Sequence, residues 1–334
     1  MNERVLLQGI KVNEWTNWEK KAKVFYWSYS LSNRKELSSI ILSVNPHTIF
    51  INGLYSFYFN LLPLWYALKN TKARVVWSAR GMLHSGALAQ KSIKKQLFFL
   101  FIKMLGLHKK VMWHATDERE AAFIRKKMGD VHVVVAHNYP KLVQALPVLP
   151  KQEGSLILGT IALISPMKNH KAVLEALQLC KGSVTWLIYG PVKDELYWKE
   201  CLQLIQKLPS GIEVVYKGEL PPSQLSDALK DIHVFIMPSE SENFGHALLE
   251  ALSAGKPVIT TTTTPFYQLS EKKGGVAVDL NGLTSSLQQS INYFVNVQQQ
   301  EYDIYCNNAL AFAKAHVSAE LLSKQYQNLL ATAQ

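Results

Sequence analysis

Short apolar runs alternate with stretches of helical periodicity along the whole chain. In the first half, the runs that predict buried strands are 24–27, 48–51, 74–77, 111–114 and 131–136. Helical patterns separate these runs at about 32–44, 56–69, 86–106 and 117–128. Because strands that alternate with helices assemble into parallel sheets, the pattern predicts an α/β fold with helices on both faces of the sheet.

The alternation restarts after a stretch, 138–154, whose prolines are typical of a linker. Beyond it, strands are predicted at 156–163, 184–189, 213–216, 232–237, 257–261 and 276–279. Helices are predicted at about 170–180, 194–207, 223–230, 245–254, 282–297, 299–315 and 317–331. We therefore expect two domains, 1–145 and 146–334, with the last helices packing back on the first. The second is predicted to be doubly wound, with ligands bound beyond the carboxyl ends of its strands.

Length and composition support two folded domains. The chain has 334 residues, of which 48% are hydrophobic and 18% charged, a globular rather than a disordered composition. Cys180, Cys201 and Cys306 have neither disulfide-framework nor zinc-site spacing, so we expect a reducing, cytoplasmic environment. The N-terminal segment lacks the apolar core of a signal peptide, and no stretch reaches the roughly 18 apolar residues of a membrane span.

The formal net charge of +11 is compatible with nucleic acid, an anionic membrane or phosphorylated ligands. Lysines cluster within 91–110 around the apolar run 97–102. This stretch suggests peripheral contact with an anionic membrane, but its apolar residues are too continuous for an amphipathic helix, which favours a buried helix with a basic edge. No nucleic-acid recognition motif accompanies the charge, so we expect no nucleic-acid partner.

The segment 236–266 carries the most specific chemical signal. An apolar strand leads into a polar turn, and a helix follows. Asn243 is predicted to cap that helix and Gly255 to end it. The backbone N–H groups of 243–246 would then form an anion site at a helix N-terminus, with Glu242 at its mouth.

Two carboxylates, Glu242 and Glu250, stand eight residues apart in this segment. They can accept hydrogen bonds from pairs of sugar hydroxyls, or they can simply solvate a helix end. Glu250 lies within the apolar run 247–252, where a carboxylate needs a partner, and this favours a binding role.

Glu242 and Glu250 form the Glu-x7-Glu pair of retaining GT-B glycosyltransferases, and the sequence PSESENFGHALLEALSAGKPVI around them is similar to family four of those enzymes, the group 1 glycosyl transferases. The Pro-Ser entry, the Asn-Phe-Gly after the first glutamate and the Gly-Lys-Pro-Val exit make the resemblance specific, and it covers most of residues 40–290. It implies a GT-B fold, in which two Rossmann-like doubly wound domains face a central cleft, the acceptor on the N-terminal side and the nucleotide-sugar donor on the C-terminal side.

The resemblance also implies the residues of a donor site. Glu242, with the amides of Asn243, Phe244 and Gly245, would hold the donor sugar and its phosphate, and Glu250 would bind the ribose. Further donor contacts are implied at Ser165, Gly190, Lys217, Gly218, Leu220 and Thr264.

Two loops of the second domain carry weaker signals. Lys168 precedes a predicted helix that Asn169 would cap, and a lysine there suits a pyrophosphate, although a solvated loop lysine is the common alternative. The family places its phosphate-binding lysine in this loop and usually has an arginine five residues earlier, where this chain has Leu163. Gly190 follows another strand, where a glycine either lets the backbone approach a ligand or forms a structural turn.

The N-terminal half resembles the acceptor domain of the family more weakly. The stretch 77–95 is similar to an Arg-Gly-Met-Leu loop of some members. It implies that Arg80 and Gly81 line the cleft, with Arg80 near the reacting carbon and His84 as a less certain neighbour.

His114, with Glu120, also matches the family pattern, but a satisfied core histidine explains His114 equally well. The chain opens near what resembles the third strand of the family's first domain. A first strand and a Gly-rich loop, about 50 residues of a typical domain, are therefore expected to be missing, which makes the N-terminal domain reduced.

These features together predict retaining transfer of a sugar from a nucleotide diphosphate to a hydroxyl of a glycan or lipid-linked glycan. No Asp-x-Asp motif is present, so we expect no metal and no cofactor besides the nucleotide-sugar cosubstrate. A non-catalytic sugar-nucleotide binder is the alternative, and Leu163 and the short N-terminus support it. A phosphorylase would need a pyridoxal-anchoring lysine motif, which we do not find. Assembly of a bacterial surface polysaccharide or lipopolysaccharide, at the inner face of the cell membrane, is expected from the resemblance.

Overall fold

A computed structural model describes residues 11–18, 21–28, 34–83, 92–140, 142–317 and 319–330. They fall into two compact units, one within Met1–His137 and Ser323–Gln334, the other within Asn138–Leu322. The division falls at the start of the proline-rich stretch.

The first unit is built on a parallel sheet. Its strands, hydrogen-bonded in this order, are β3 (Thr48–Asn52), β4 (Arg74–Ser78), β5 (Met112–Ala115) and β6 (Val133–Val135). The helices of this unit are α1 (Arg34–Val44), α2 (Leu62–Asn70), α3 (Ser92–Met104), α4 (Glu118–Met128) and the end of α11 (Ala319–Leu330). The strand order runs in one direction without reversing among the described strands.

Alternate side chains of this sheet enter cores on its two faces. Trp77 and Trp113 stack with their ring centroids 5.0 Å apart in the core that the connecting helices cover. Val76 and Ala136 lie in a smaller core that Leu329 of α11 completes. The last helix therefore covers a face of the sheet that would otherwise be apolar and exposed.

The strand predicted at 24–27 was expected to join the parallel sheet, and this expectation is wrong. The structure places β2 (Ala22–Phe25) in an antiparallel hairpin with β1 (Trp15–Trp18), which the pattern did not predict. The hairpin is separate from the parallel sheet, and β1 is exposed throughout. A short apolar run looks the same in an exposed hairpin and in a buried strand, so periodicity does not separate the two.

The second unit contains a larger parallel sheet of six described strands, β7 (Ser155–Ile161) to β12 (Gly275–Val278), in the order β12-β11-β10-β7-β8-β9. Its strands are β7 (Ser155–Ile161), β8 (Ser183–Tyr189), β9 (Ile212–Gly218), β10 (Val234–Ile236), β11 (Val258–Thr261) and β12 (Gly275–Val278). Its helices are α5 (His170–Leu177), α6 (Glu195–Ile205), α7 (Leu225–Lys230), α8 (His246–Ser253), α9 (Leu283–Asn296) and α10 (Gln299–His316). Every element predicted for this unit is confirmed.

The strand order of the second unit reverses between β7 and β10. From β7 the sheet grows outward through β8 to β9, and from β10 it grows the other way through β11 to β12. The doubly wound prediction is thereby confirmed for this unit. Because the connections leave the reversal point in opposite directions, the carboxyl ends of β7 and β10 border a crevice where ligands bind in folds of this kind.

Candidate functional site

Two loops meet at the reversal point, one after β7 and one after β10. The side-chain amide of Asn169 donates to the Pro238 carbonyl at 2.8 Å, and the Glu240 amide donates to the Met167 carbonyl at 2.9 Å. These bonds hold the loops against each other. Asn169 occupies the N-cap position of α5, as predicted, but with φ of 55° and without capping the helix through its side chain.

Lys168 and Glu242 form an ion pair across these loops, in which the Lys168 Nζ donates to the Glu242 Oε1. The lysine side chain is 20% exposed and the glutamate side chain 14%. The predicted phosphate-binding lysine and the first glutamate of the Glu-x7-Glu pair therefore belong to one site. A pair that retains access to water can open toward a ligand at a lower desolvation cost than a fully buried pair.

The predicted cap of the helix after β10 is wrong. α8 begins at His246, and Gly245 rather than Asn243 occupies its N-cap, with φ of 72°. Gly245 has no side chain with which to cap this end, and the N-terminus of a helix attracts anions through its N–H groups and its dipole. A Cβ at position 245 would lie 2.8 Å from a ring carbon of Phe266, so both the φ and the space require glycine. Phe244, half-buried, places its ring centroid 4.5 Å from that of His246.

Glu250 lies four residues into α8, about 6 Å along the helix from its start. It is half-buried between the buried Leu249 and Ala251. Gly255 follows the end of the helix with φ of 81°, which confirms its predicted role. Both carboxylates of the Glu-x7-Glu pair thus flank the same helix N-terminus, Glu242 before it and Glu250 within it.

Thr264 is buried, and its hydroxyl has internal partners. The Thr264 Oγ1 donates to the Thr261 carbonyl at 2.8 Å and accepts from the Phe266 amide at 3.4 Å. The Thr261 hydroxyl in turn donates to the Ser239 carbonyl at 2.6 Å. The threonine-rich stretch therefore supports the loop that carries Glu242, and Thr264 shapes the site from below rather than through a free hydroxyl.

Gly190 ends β8 in close contact with its neighbours. Its φ is 132°, and a Cβ there would lie 1.9 Å from the Ala162 carbonyl oxygen. Its amide donates to the Gly218 carbonyl at 2.7 Å, and its own carbonyl accepts from the Tyr216 hydroxyl at 2.9 Å. The structural alternative therefore accounts for this glycine without a ligand.

The remaining predicted donor residues lie at the same edge of the sheet. Lys217 is exposed at the end of β9, followed by Gly218 with φ of 76°, and Leu220 is half-buried just beyond. Ser165, half-buried, begins the turn that leads to Lys168 and accepts from its amide at 3.0 Å.

His170 was not singled out by the sequence, although it follows the Lys168 loop directly. It is 1% exposed, and neither ring nitrogen has a hydrogen-bond partner among the described residues. Its ring stacks on Trp186, with centroids 6.0 Å apart. Burial, assisted by the charge of Lys168, lowers the pKa of His170 to about 4. A neutral ring therefore supports the loop.

In the first unit, the loop after β4 contains the predicted acceptor residues Arg80 and Gly81. Both have left-handed backbones, with φ of 49° and 75°. The Arg80 Nε donates to Asn52 Oδ1 at 2.9 Å, at the end of β3. The buried Glu120 holds the loop: its Oε1 accepts from the Gly81 amide at 2.5 Å, and its Oε2 accepts from the Thr116 amide at 2.7 Å and hydroxyl at 2.8 Å.

His114 is completely buried at the end of β5. One ring nitrogen is 2.8 Å from Ser78 Oγ and the other 2.8 Å from the Ala136 carbonyl. Burial is the main reason that its pKa lies below the ordinary value. The geometry is that of a satisfied core histidine, so the structural alternative explains His114. The predicted neighbour His84 lies outside the described residues.

Helix α3 differs from the buried helix that the pattern favoured. Phe99 and Ile102 are buried, but a continuous stripe on the same helix is exposed. The exposed apolar side chains are Ile93, Leu97, Leu100, Phe101 and Met104. Continuous apolar sequence hides which face a helix buries, so the two faces could not be separated beforehand.

The described residues provide neither a metal-binding cluster nor a membrane-spanning helix. No group of three or more His, Cys, Asp or Glu side chains there could hold a metal ion. Within the same ranges, no helix is long and apolar enough to cross a membrane.

Solved structures with the same fold include TarM of S. aureus, at 16% identity and a TM-score of 0.68 over 93% of this chain and 60% of that one. HepE of Anabaena, crystallised with UDP and glucose, matches at 16% identity and a TM-score of 0.66 over 91% of this chain and 84% of that one. WaaG, a glycosyltransferase involved in lipopolysaccharide biosynthesis, matches at 14% identity and a TM-score of 0.61, over 90% of this chain and 95% of that one. These similarities show that the chain has the GT-B fold.

Curated relatives match shorter segments. Sulfoquinovosyl transferase SQD2 of Arabidopsis thaliana is 32% identical over 110 residues, 33% of this chain and 19% of that protein. O-antigen chain mannosyltransferase B of Escherichia coli is 29% identical over 161 residues, 44% of this chain and 40% of that protein. Each match thus spans less than half of the relative. The family profile described as Glycosyl transferases group 1 matches residues 144–309, the region that contains Lys168, Glu242 and Glu250, and the chain belongs to that family.

Proposed function

We propose that the chain transfers a sugar from a nucleotide diphosphate to a hydroxyl of a glycan or lipid-linked glycan, with retention of the anomeric configuration. The observation that carries the proposal is the Lys168–Glu242 ion pair at the reversal point, beside the N-terminus of α8. The crystallisation of HepE with UDP and with UDP-glucose supports a nucleotide-sugar as the donor.

The chemistry of transfer leaves negative charge on the departing diphosphate. Lys168 and the first N–H groups of α8 supply positive charge and donors at that place, and preorganised groups of this kind stabilise a transition state by several kcal/mol. Because Lys168 is paired with Glu242, a donor phosphate has to compete with that carboxylate for it. The released carboxylate can then accept hydrogen bonds from the sugar hydroxyls.

Other residues have proposed roles around this centre. Glu250 binds the ribose hydroxyls, and Arg80 in the first unit acts near the reacting carbon. No step in this scheme uses a metal, so we expect transfer to continue in EDTA.

Thermal unfolding with UDP-, GDP- and ADP-sugars tests the donor site, because a ligand that binds the folded chain raises its stability by mass action. We expect one nucleotide class to raise the Tm of the native chain and of Glu240→Ala, an exposed neighbour on the same loop, but not of Glu250→Ala. No shift with any donor would contradict the proposal.

A non-catalytic sugar-nucleotide binder is the second candidate, favoured by one observation. Leu163, 43% exposed after β7, stands where the family usually has an arginine. This candidate predicts a Tm shift without release of free nucleotide diphosphate, and restored release in Leu163→Arg. Release of nucleotide diphosphate by the native chain, in the presence of a cell extract that supplies the acceptor, supports transfer instead.

We further propose that the exposed stripe of α3 and its lysines contact an anionic membrane, at the inner face of the cell membrane. Apolar side chains flanked by Lys94 and Lys103 match the requirements of an interfacial helix. Vesicles containing anionic lipid should retain the native chain at low salt and lose Leu97→Asp, while neutral vesicles retain neither. Equal retention of both forms would contradict this contact.

A further inference from the structure

A second concave site lies in the first unit, at the edge of the sheet where the strands begin. A cavity of about 460 Å³ opens between the loops that precede β3 and β4. Its lining residues are Asn45, Pro46, His47, Thr71, Lys72, Ala73 and Arg74. Both strands have five residues, so the cavity is about 15 Å from Asn52 and Arg80 at the opposite edge. It is therefore separate from the proposed acceptor loop.

The lining of this cavity has basic residues without acidic ones. His47, Lys72 and Arg74 contribute to it, and no aspartate or glutamate does. Among the described residues, none of these three side chains has a hydrogen-bond or ion-pair partner, although Arg74 is half-buried. Like charges gathered in a concavity repel one another. An anion bound among them replaces this repulsion with attraction.

The two loops are held in place before any ligand arrives. The Arg74 amide donates to the His47 carbonyl at 2.9 Å, which joins the loops at the cavity floor. The Thr71 hydroxyl donates to the Ala67 carbonyl at 2.8 Å and accepts from the Ala73 amide at 3.2 Å. A preorganised cavity binds its ligand without the entropy cost of ordering loops.

The surrounding edge adds further positive charge. Because the strands are parallel, the segment before β5, with Lys109 and Lys110, opens on the same edge as His47 and Arg74. A lysine after a helix can simply neutralise the helix dipole, which would account for Lys72 after α2. Arg74 begins a strand and has no such explanation.

We propose that this cavity binds a phosphate group, either of a free phosphate compound or of a lipid headgroup. A guanidinium fork donates two parallel hydrogen bonds to phosphate oxygens, and an ammonium adds a point charge beside it. Asn45 adds a side-chain amide to the lining. The site does not depend on the transfer reaction, so it stands or fails independently of the proposed function.

Hydrogen exchange measured by mass spectrometry tests the site, since it reports protection segment by segment. The probes are inorganic pyrophosphate and vesicles of phosphatidylcholine with or without phosphatidic acid. We expect protection of 45–50 and 71–76 in the native chain. In Arg74→Gln and in Lys72→Gln, the affinity for the probe should fall by about tenfold or more, because each variant removes one charge-assisted contact. Lys72 is exposed, so its variant keeps the test valid if Arg74→Gln does not fold.

The matched control is Lys23→Gln with Lys35→Gln, two exposed lysines of the same unit that do not line the cavity. Protection by pyrophosphate that the control retains identifies a free phosphate compound as the ligand. Protection by phosphatidic acid vesicles alone, with the same dependence on Arg74, identifies a headgroup. Absence of protection with both probes, or an equal loss in the control, overturns the proposal. Pyrophosphate bound at the donor site protects 165–170 and 242–248 instead, so the two sites are distinguished.

Discussion

The ammonium of Lys168 donates a hydrogen bond to the carboxylate of Glu242 across the point where the strand order of the second unit reverses. The two residues are 74 positions apart, and the tethers between their loops bring them together. The pair orders both side chains. It also joins Lys168, the proposed phosphate-binding group, directly to Glu242, the proposed sugar-binding group, by a hydrogen bond.

Removal of one partner should cost more than removal of both. Lys168→Gln leaves the Glu242 carboxylate, 14% exposed, without its counterion, and we expect the free energy of unfolding to fall by about 1–2 kcal/mol. The double variant Lys168→Gln, Glu242→Gln should recover most of this loss, because no uncompensated charge remains. Urea unfolding at neutral pH measures both values.

The matched control for this prediction is the pair Lys171–Glu200, which is 2.9 Å apart at its closest atoms and has side chains 43% and 56% exposed. Its variants should show no measurable change, because solvent screens an exposed pair. A similar loss at both pairs would mean that the reversal-point site gives Lys168 no special environment.

Gly245 and Gly282 provide a matched comparison of backbone and steric cost. Both occupy the N-cap of a helix, with φ of 72° and 70°. Gly282→Ala has open space for a Cβ and should cost about 1 kcal/mol for the left-handed backbone alone. Gly245→Ala also meets the Phe266 ring, so we expect a cost larger by about 1–3 kcal/mol and a weaker donor response in the Tm assay. Equal losses would mean that Phe266 moves aside freely.

The sequence predicted the second unit almost completely because its signals are local. Each buried strand is a continuous apolar run, and the Glu-x7-Glu pair lies within one strand-turn-helix segment. The position of Glu250 on a helix and the loop position of Lys168 both follow from such local patterns.

The errors arise where a local pattern has two physical solutions. Asn and Gly are both accepted at an N-cap, and the left-handed backbone and the packing of Phe266 that require glycine at position 245 are not local signals. The apolar run of α3 does not reveal which face its neighbours cover. The tether between Asn169 and Pro238 joins residues that are 69 positions apart, so no local pattern predicts it.

Glu120 should prove to be a positioning residue of the Arg80–Gly81 loop. Its carboxylate accepts from two backbone amides and one hydroxyl, and Glu120→Gln would turn an amide N–H₂ toward one of these donors. We expect a loss of about 1–3 kcal/mol in unfolding free energy and faster hydrogen exchange around Gly81. Glu118→Gln, on the exposed side of the same helix, is the control. Unchanged exchange in Glu120→Gln would mean that the loop keeps its conformation without the carboxylate.

His170 should make the chain sensitive to acid. Its pKa is about 4 in the folded state and 6.5 in the unfolded state, so the unfolded chain binds more protons between these values. The contribution of a neutral His170 to stability is therefore complete above pH 6.5 and falls as the pH drops toward 4, by about 3 kcal/mol.

His170→Phe keeps a ring against Trp186 but cannot be protonated, so its stability should fall less over that range. Urea unfolding between pH 7 and pH 4 measures the difference, with His132→Phe, an exposed histidine, as the control. His114 and His233, whose pKa values burial also lowers, leave some acid dependence in every variant. If His170→Phe and the native chain lose stability in parallel, then His170 is protonated in the folded state at an ordinary pH, and the support it gives to the Lys168 loop does not depend on a neutral ring.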